Sequence, residues 1–483
     1  MLNLELIVFA AYFLFMLGIG LVFFFKSKGG GEKDYFLGGR KMGAWVSALS
    51  AGASDMSAWV LMGLPASIYA AGMGQTWIAI GLAIGYALSW IFEAPRLRRF
   101  SIAARDSITI PQYLTNRFLS GSKLLQLLCA GIFLVAYTIY AASSIKACGT
   151  LFHTVIGIDA TTAMYLAAVI IVAYTFLGGF SAVCWTDFFQ GLLMLAALLI
   201  APIFALGLIN SGAMAQTAPL PQNYFRFAAS WKEIVSGLGW GLGYFGMPHI
   251  IIRFMSIKSE RELRKSSIIG ISWTVIILIM SVVSGVVGRI FLGDIADSST
   301  VFITMVRKIF PALVSGLLLS AILSAAMSTA DSQLLASASA FASDVYKPLL
   351  RKKASDKEML WVGRLVVLVI ALVALFIASN PNSGTIMGLV ENAWGVFGAA
   401  FGPVILLSLF WKRLTFSGAA AGIVAGAGVD ILWLAFLSHT GIYEIVPGFA
   451  FGLAAALVVS LCSRKPGAEV EALFEEASRP EMS

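Results

Sequence analysis

The sequence predicts an all-α integral membrane protein, and three observations predict it. Of the 483 residues, 59% are hydrophobic and only 12% are charged, whereas soluble globular chains are about 45–50% apolar and about 25% charged. The apolar residues form continuous runs close to the roughly 20 residues that a bilayer-spanning helix needs. Within the runs, polar and apolar residues do not alternate, which favours helices over the strands of a barrel.

Thirteen apolar runs are predicted to span the membrane, and together they form one transmembrane domain over residues 1–463. No basic stretch precedes the first run and no cleavage site follows it, so we expect a retained helix and not a signal peptide. Residues 464–483 form a short acidic tail that we expect to be solvated. The runs are 4–25, 43–70, 73–93, 124–149, 161–178, 185–209, 231–252, 266–292, 309–343, 359–378, 386–411, 416–438 and 443–463.

The positions of Lys and Arg predict the orientation of the thirteen runs. With the N-terminus outside, 27 of the 33 Lys and Arg fall in the inside loops and the tail, and 6 fall outside. Cytoplasmic loops carry such an excess of Lys and Arg, so we expect a cytoplasmic C-terminus. The net charge of +8 then reflects topology and not a nucleic-acid surface. The inside loops are 26–41, 94–123, 253–265, 347–364 and 412–413, with the uncharged turn 178–185.

Two of the runs contain interruptions that predict broken helices. The second run carries a polar, small-residue stretch at 50–58, and the seventh carries several glycines and a proline at 236–248. Gly and Pro weaken a helix by about 1 and 3 kcal/mol relative to Ala. Interruptions five runs apart predict two five-helix units, about 43–209 and 231–411, and an odd helix number makes the second unit inverted. Glycines that only permit close helix packing are the alternative, but packing does not need a carboxylate such as Asp55.

A broken helix exposes carbonyl groups at one end and amide groups at the other. The carbonyl groups can bind a hard cation, and the amides can bind a carboxylate. In the ninth run, Ser328 and Thr329 share a helical stripe with Ala325. Their hydroxyl groups are oxygen ligands of the kind that hard cations prefer. The alternative is that both hydroxyls bond only to their own helix.

Acidic and aromatic residues inside the runs are further candidates for function. A charged side chain at the bilayer centre costs about 2.5–3.5 kcal/mol on insertion scales, so a retained acid needs a reason. Helix capping, snorkelling and contact with water are the alternatives. Trp240, Tyr244 and Pro248 recur every four residues beside the second interruption, where rings would suit a small, partly apolar solute. The acids are Asp55, Asp187, Asp331, Glu391 and Asp430.

Five stretches resemble the sodium/solute symporter family, most closely its bacterial sodium/proline symporters. They are 54–65, 180–187, 239–249, 327–329 and 411–419, and the similarity extends from about residue 4 to residue 463. The resemblance implies a LeuT-like fold of thirteen helices with an inverted five-plus-five repeat and with helices 2 and 7 broken. It also implies sodium-coupled import of L-proline by alternating access across the cell (inner) membrane.

The resemblance further implies which residues bind the ion and the solute. Asp55 and Asp187 would support coupling, and Ala58, Asp331 and Ser332 differ from the pattern of proline symporters. Another small carboxylate or zwitterion, or coupling to protons, is therefore the alternative. The implied sodium ligands are the backbone oxygens of Ala53, Met56 and Ala325 with the hydroxyls of Ser328 and Thr329. The implied substrate-binding positions are Ser57, Ala58, Tyr140, Trp240, Tyr244 and Pro248.

The sequence lacks the motifs that several other classes of function require. The chain has neither the H-E-x-x-H motif of zinc proteases nor the G-x-x-x-x-G-K-[ST] motif of ATP-driven pumps. It shows no repeated selectivity ring of the kind that channels use, and its four cysteines predict neither a disulfide framework nor a metal site. We therefore expect no enzyme activity and no cofactor, with sodium, a small solute and the bilayer as partners; the oligomeric state stays open.

Overall fold

Helices connected by turns and loops make up the residues that the computed structural model describes, which are 4–26, 32–175, 179–212 and 220–479. One isolated parallel bridge joins Met42 to Ile257. Parts of the predicted run 161–178, of loops 26–41 and 178–185 and of the tail lie outside these residues. The first ten helices are α1 (Leu4–Lys26), α2 (Glu32–Leu37), α3 (Ala44–Asp55), α4 (Gly63–Ala71), α5 (Thr76–Leu88), α6 (Ala94–Ala103), α7 (Ile110–Arg117), α8 (Leu124–Ile156), α9 (Ala160–Thr175) and α10 (Phe180–Asn210).

The second half of the chain continues the helical order, and short 3-10 or π-helical segments extend or join several helices. These helices are α11 (Trp231–Gly239), α12 (Pro248–Ser256), α13 (Glu260–Leu292), α14 (Val301–Ile309), α15 (Ala312–Ser339), α16 (Asp356–Ser379), α17 (Ile386–Phe410), α18 (Phe416–Phe436), α19 (Ile445–Cys462) and α20 (Ala468–Ser478). The 3-10 segments are Gly38–Arg40, Ala58–Val60, Met73–Gln75, Trp240–Phe245, Ser298–Thr300 and Ser438–Thr440, and the π segments are Ser89–Glu93 and Ala340–Leu350.

Among the described residues, ten helical stretches are long and apolar enough to cross a membrane. The three remaining runs are not in this set. Runs 43–70 and 231–252 are divided into shorter helices, and the described part of run 161–178 belongs to the 16-residue helix α9. The multi-span helical architecture is thus confirmed, while the count of thirteen spans stays a prediction.

The divided runs lie in the middle of the helix bundle. Helix α3 packs against α10, α12 and α13, and α15 packs against α1, α8 and α10 as well as α3. Nearly every residue of α3 and of the central part of α15 is buried. Polar groups within these two helices are therefore screened from lipid and surrounded by protein.

A cluster of charged residues joins three segments at the end of the bundle where α3 begins. Arg40 donates hydrogen bonds to the Asp106 carboxylate (Nε to Oδ1, 2.9 Å) and to the backbone oxygens of Met255 (2.6 Å) and Ser107 (2.8 Å). Lys33 also pairs with Asp106. Burial by itself would raise the pKa of Asp106, but Lys33 and Arg40 lower it below its usual value. The charged cluster links the segment before α3 to the loop after α6 and to α12.

The acidic tail does not extend freely into solvent, so that expectation is wrong for residues 468–478. They form α20, which buries Val470, Leu473 and Ala477 and packs against α6 and α7. Its apolar residues recur at helical spacing, and helix formation lets them cover apolar surface on the neighbouring helices.

Candidate functional site

The first divided run opens at Asp55, where α3 ends. Met56 leaves the helical conformation (φ −75°, ψ 70°), and Ser57 is extended before the turn Ala58–Val60. The freed Asp55 carbonyl accepts hydrogen bonds from Trp59 Nε1 (3.2 Å) and from the Tyr140 hydroxyl (3.4 Å). All of these residues are buried, so this backbone opening lies inside the protein.

The second divided run opens after Gly239. The segment Trp240–Phe245 is a 3-10 turn, Met247 is extended, and α12 begins at Pro248. Pro suits the first turn of a helix because it has no amide hydrogen to leave unpaired. The glycines serve close packing here as well, since a Cβ on Gly241 would overlap the Gly81 carbonyl and lie 3.3 Å from the Gly85 Cα. Opening and close packing, which the sequence presents as alternatives, thus coexist in this segment.

Hydrogen bonds join the two openings directly. The Tyr244 hydroxyl donates to Asp55 Oδ2 at 2.6 Å, and Asp55 Oδ1 has no hydrogen-bond partner among the described residues. His249 Nε2 lies 3.2 Å from the Ser54 carbonyl oxygen. The His249 amide donates to the Tyr137 hydroxyl at 2.9 Å. The start of α12 is therefore held against the end of α3.

A group of backbone and hydroxyl oxygens lies where α15 crosses the end of α3. The Ser328 hydroxyl is 2.7 Å from the Ala53 carbonyl oxygen and 3.2 Å from the Ala325 carbonyl oxygen. The Thr329 hydroxyl is fully buried and makes no hydrogen bond within the described residues. Four of the five predicted cation-binding residues, Ala53, Ala325, Ser328 and Thr329, thus meet at this crossing, and Met56 is the first residue beyond α3.

Asp187 belongs to a buried ion pair. Its Oδ2 accepts a hydrogen bond from Arg253 at 3.0 Å and another from the Ser50 hydroxyl at 2.7 Å. Arg253 also donates to Ser50 (3.0 Å), to Ser332 (2.6 Å) and to the His249 carbonyl. The guanidinium therefore links α12 to α3, α10 and α15. Within the described residues, Asp187 Oδ1 has no hydrogen-bond partner.

Charge counting assigned Arg253 to the inside loop 253–265, and that assignment is wrong. The residue is 1% exposed and belongs to α12. The sequence carried a signal for this pairing, because intramembrane charged residues commonly pair with one another. The sequence does not say which cation, because the two residues lie 66 positions apart and meet only through helix packing.

Aromatic rings surround the opened segments. Tyr244 packs edge-on against Tyr86 and Trp394, with ring centroids 5.1 Å apart in each pair. The centroid of the Trp240 ring lies 5.1 Å from that of the Tyr443 ring. The Trp240 carbonyl accepts a hydrogen bond from Trp394 Nε1 (2.8 Å). Trp240 and Tyr244 both pack against Trp394, with ring centroids 6.4 and 5.1 Å away, so the two rings share a neighbour although they lie on a 3-10 turn and not on an α-helix. Tyr86, Trp394 and His249 were not predicted as site residues.

The six predicted substrate-binding residues are all enclosed. None of Ser57, Tyr140 and Tyr244 is exposed, and Trp240 is 3% exposed. Ala58 and Pro248 are buried as well. Among the described residues, no group of three or more His, Cys, Asp or Glu is placed to hold a metal ion.

Comparison with known proteins shows the family of the chain. The model of the Sodium:solute symporter family matches residues 35–426. The chain belongs to this family. It is 43% identical over 476 residues to the osmoregulated proline transporter OpuE of Bacillus subtilis, covering 96% of each chain. It is 44% identical over 483 residues to a sodium/proline symporter of Staphylococcus aureus, covering 96% of this chain and 94% of that protein. The chain is thus a transporter and not an enzyme.

Solved structures support the symporter fold. A substrate-bound, outward-open Na+-coupled sialic acid symporter matches with a TM-score of 0.79 at 20% identity, covering 96% of this chain and 99% of that one. The nucleobase-cation-symport-1 family transporter Mhp1, in a closed conformation, matches with a TM-score of 0.57 at 14% identity over 91% and 97% of the chains. The prediction of a multi-pass, LeuT-like transporter fold is confirmed at this level.

Proposed function

We propose that this transporter imports L-proline together with sodium. One structural observation carries the sodium assignment: buried carbonyl and hydroxyl oxygens converge where the end of α3 meets Ser328 and Thr329. Hard monovalent cations favour neutral oxygen ligands of this kind. The names and 43–44% identity of the full-length relatives support proline as the solute. Sodium would be held by Ala53, Met56, Ala325, Ser328 and Thr329.

The two openings would bind the solute between them. The amide groups at the start of α12 and its positive helix end can bind a carboxylate, and the rings of Tyr140, Trp240 and Tyr244 can contact a pyrrolidine ring. Ser57, Ala58 and Pro248 would complete this site. Because these residues are enclosed, solute entry requires the bundle to open.

Coupling follows from differential binding of sodium to the conformations of the transporter. If sodium binds the outward-open state more tightly, it increases the population of that state before the solute arrives. By reciprocity, the solute must then raise the affinity for sodium by the same factor. Asp55 would link the two ligands, because its carboxylate contacts Tyr244 while its neighbours Ala53 and Met56 contribute to the ion site.

We further propose the finer architecture that the sequence predicted. The two divided runs would be the second and seventh of thirteen spans and would open the inverted units 43–209 and 231–411. The N-terminus would face outside, and α20 would lie on the cytoplasmic side. Both divided runs contact α15. This contact supports the arrangement, because inverted units bring their broken helices together at mid-membrane.

Uptake of labelled L-proline into proteoliposomes tests the function. We expect accumulation above equilibrium with an inward sodium gradient, and none when choline replaces sodium. The double variant Ser328→Ala with Thr329→Ala should require more sodium for the same rate. Uptake that a proton gradient drives without sodium would contradict the coupling ion. Stronger competition by another small carboxylate or zwitterion than by unlabelled proline would contradict the solute.

A further inference from the structure

Three carboxyl groups that the proposed transport site does not use gather at one end of α17, α18 and α19. Glu391 lies near the start of α17, Asp430 lies in α18, and Glu444 directly precedes α19. The three helices pack against one another. Asp430 is 0% exposed and Glu444 is 6% exposed. These acids lie beside α11 and the segment Trp240–Phe245, which also contact α19.

The two most buried acids lack compensation from other side chains. No Lys or Arg forms an ion pair with Asp430 or Glu444 in the part of the chain that the structure describes. Both carboxylate oxygens of Asp430 and Oε1 of Glu444 are buried there without a hydrogen-bond partner. An unpaired carboxylate in a low-dielectric interior is strongly disfavoured. Some cationic ligand or a bound proton must therefore neutralise this pair.

A glycine creates the space in which the two side chains meet. A Cβ atom on Gly395 would lie 2.8 Å from Asp430 Oδ1, 3.4 Å from Oδ2 and 3.4 Å from Glu444 Cγ. Both carboxyl side chains therefore point to the same position on α17. On α19, a Cβ atom on Gly448 would lie 3.1 Å from the Asp430 Cβ. Helix α19 therefore also packs closely against Asp430. The Asp430 side chain is aimed into the gap between the helices and away from lipid.

A proton suits this gap better than a metal ion. A carboxylate only accepts hydrogen bonds, whereas a protonated carboxyl group also donates one. One proton bound by either of two neighbouring carboxyl groups leaves a single negative charge and so removes the repulsion between two carboxylates.

We propose that Asp430 and Glu444 form a proton-binding site whose occupancy is linked to Trp240 through Tyr443. Tyr443 precedes Glu444 in the chain, its hydroxyl donates to the Glu391 carbonyl (2.8 Å), and its ring lies 5.1 Å from Trp240. Loss of the proton leaves like charges on two helices that pack together. Their repulsion displaces Tyr443 and with it the aromatic contact on Trp240.

Several elements that pack around the pair carry other titratable groups. The Lys232 ammonium donates to the Thr440 carbonyl at 2.9 Å, in the turn that leads to Tyr443. Titratable groups on the elements that pack around the pair are Glu391 of α17; Cys129, Tyr137, Tyr140, Lys146, Cys148 and His153 of α8; Lys232 and Glu233 of α11; Tyr244 of the segment Trp240–Phe245; His439 of the turn Ser438–Thr440; Cys462 of α19; and Tyr443.

Infrared difference spectroscopy of the protein in proteoliposomes tests the site without relying on transport. We expect the carbonyl band of a protonated, buried carboxyl group, shifted in D2O and lost as the pH is raised. Asp430→Asn should remove the band, Glu444→Gln should shift it, and Glu469→Gln on the exposed side of α20 should leave it unchanged. Absence of the band in the wild-type protein, or its persistence in Asp430→Asn, would overturn the proposal. Loss of the band on adding sodium at constant pH would also overturn it, because a metal cation would then occupy the gap.

The link to transport is tested separately and rests on the proposed function. In the wild-type protein, raising external pH at constant sodium should weaken apparent proline affinity by about fivefold, the lower end of coupling between sites. Asp430→Asn should abolish this pH dependence while Glu469→Gln retains it. If the infrared band behaves as expected but affinity is independent of pH, the link through Tyr443 is wrong and the proton site stands. Failure of all proline uptake at every pH would instead contradict the proposed solute.

Discussion

At the scale of single residues, the proposed sodium site makes the sharpest prediction. Ser328→Ala and Thr329→Ala should each raise the sodium concentration required for half-maximal uptake by about tenfold, which corresponds to about 1.4 kcal/mol. Proline affinity measured at saturating sodium should change less. The control is Ser320→Ala on the same helix, a buried hydroxyl that, within the described part of the chain, bonds to the Gly316 carbonyl alone (2.8 Å). Equal effects on sodium and proline, or none on either, would contradict the assignment.

The buried pair of Asp187 and Arg253 predicts a large effect on stability. Asp187→Asn leaves the Arg253 guanidinium uncompensated, and breaking one side of a buried ion pair costs about 3–5 kcal/mol. We expect a clear fall in the melting temperature of the purified protein. The double variant Asp187→Leu with Arg253→Met should recover part of the loss, because neither charge is then left unpaired.

An exposed pair serves as the control for that experiment. Lys41 lies 3.5 Å from Asp34, and both side chains are largely solvated. Asp34→Asn should therefore change stability by about 1 kcal/mol or less. If Asp34→Asn and Asp187→Asn lower the melting temperature equally, burial is not what makes the Asp187 pair important.

At the scale of elements, the segment Trp240–Phe245 depends on close approach to α5. Gly241→Ala places a methyl group against the Gly81 carbonyl, and the resulting overpacking should cost about 1–3 kcal/mol or more. We expect less folded protein in the membrane and a lower melting temperature.

The matched control is Gly428→Ala in α18, where a Cβ would meet nothing within 4 Å. There the substitution should be neutral or stabilise by about 0.5–1 kcal/mol. Similar outcomes for both variants would contradict the packing argument.

At the scale of the whole molecule, α20 ties the end of the chain to the membrane domain. Arg99 donates to the Ala477 carbonyl (3.1 Å), and Phe474 packs edge-on against Phe100 with ring centroids 5.3 Å apart. Arg117 is fully buried and lies over the Phe474 ring at 4.9 Å. The helix thus covers a buried cation as well as apolar surface.

Removing residues 468–483 should leave the transporter inserted but lower its melting temperature. Phe474→Ala should reproduce much of this effect, since an aromatic pair contributes about 0.5–1.5 kcal/mol beyond its buried area. Glu475→Gln should have little effect, because its ion pair with Lys412 (3.5 Å) is solvent-exposed. Equal stability of the truncated and complete chains would show that α20 does not hold the membrane domain.

The aromatic and basic contacts of α20 illustrate what a sequence pattern leaves undecided. The acidic residues of the tail suggested a solvated segment, but Leu473 and Ala477 are buried on α6 and α7. Arg253 was likewise assigned to a loop and is buried beside Asp187. In both cases the decisive partner is distant in the chain, so only helix packing identifies it.

Composition and the length of the apolar runs were sufficient to identify the membrane class and most of the helical runs, because a bilayer leaves few alternatives to helices. The resemblance of five short stretches to a known family indicated the symporter family and most of the residues at the α3–α15 crossing. Tertiary structure alone decided that Tyr244 reaches Asp55, that Arg253 neutralises Asp187, and that Asp430 and Glu444 meet at Gly395. Each of these contacts joins residues on different helices, and its geometry follows from how the helices pack.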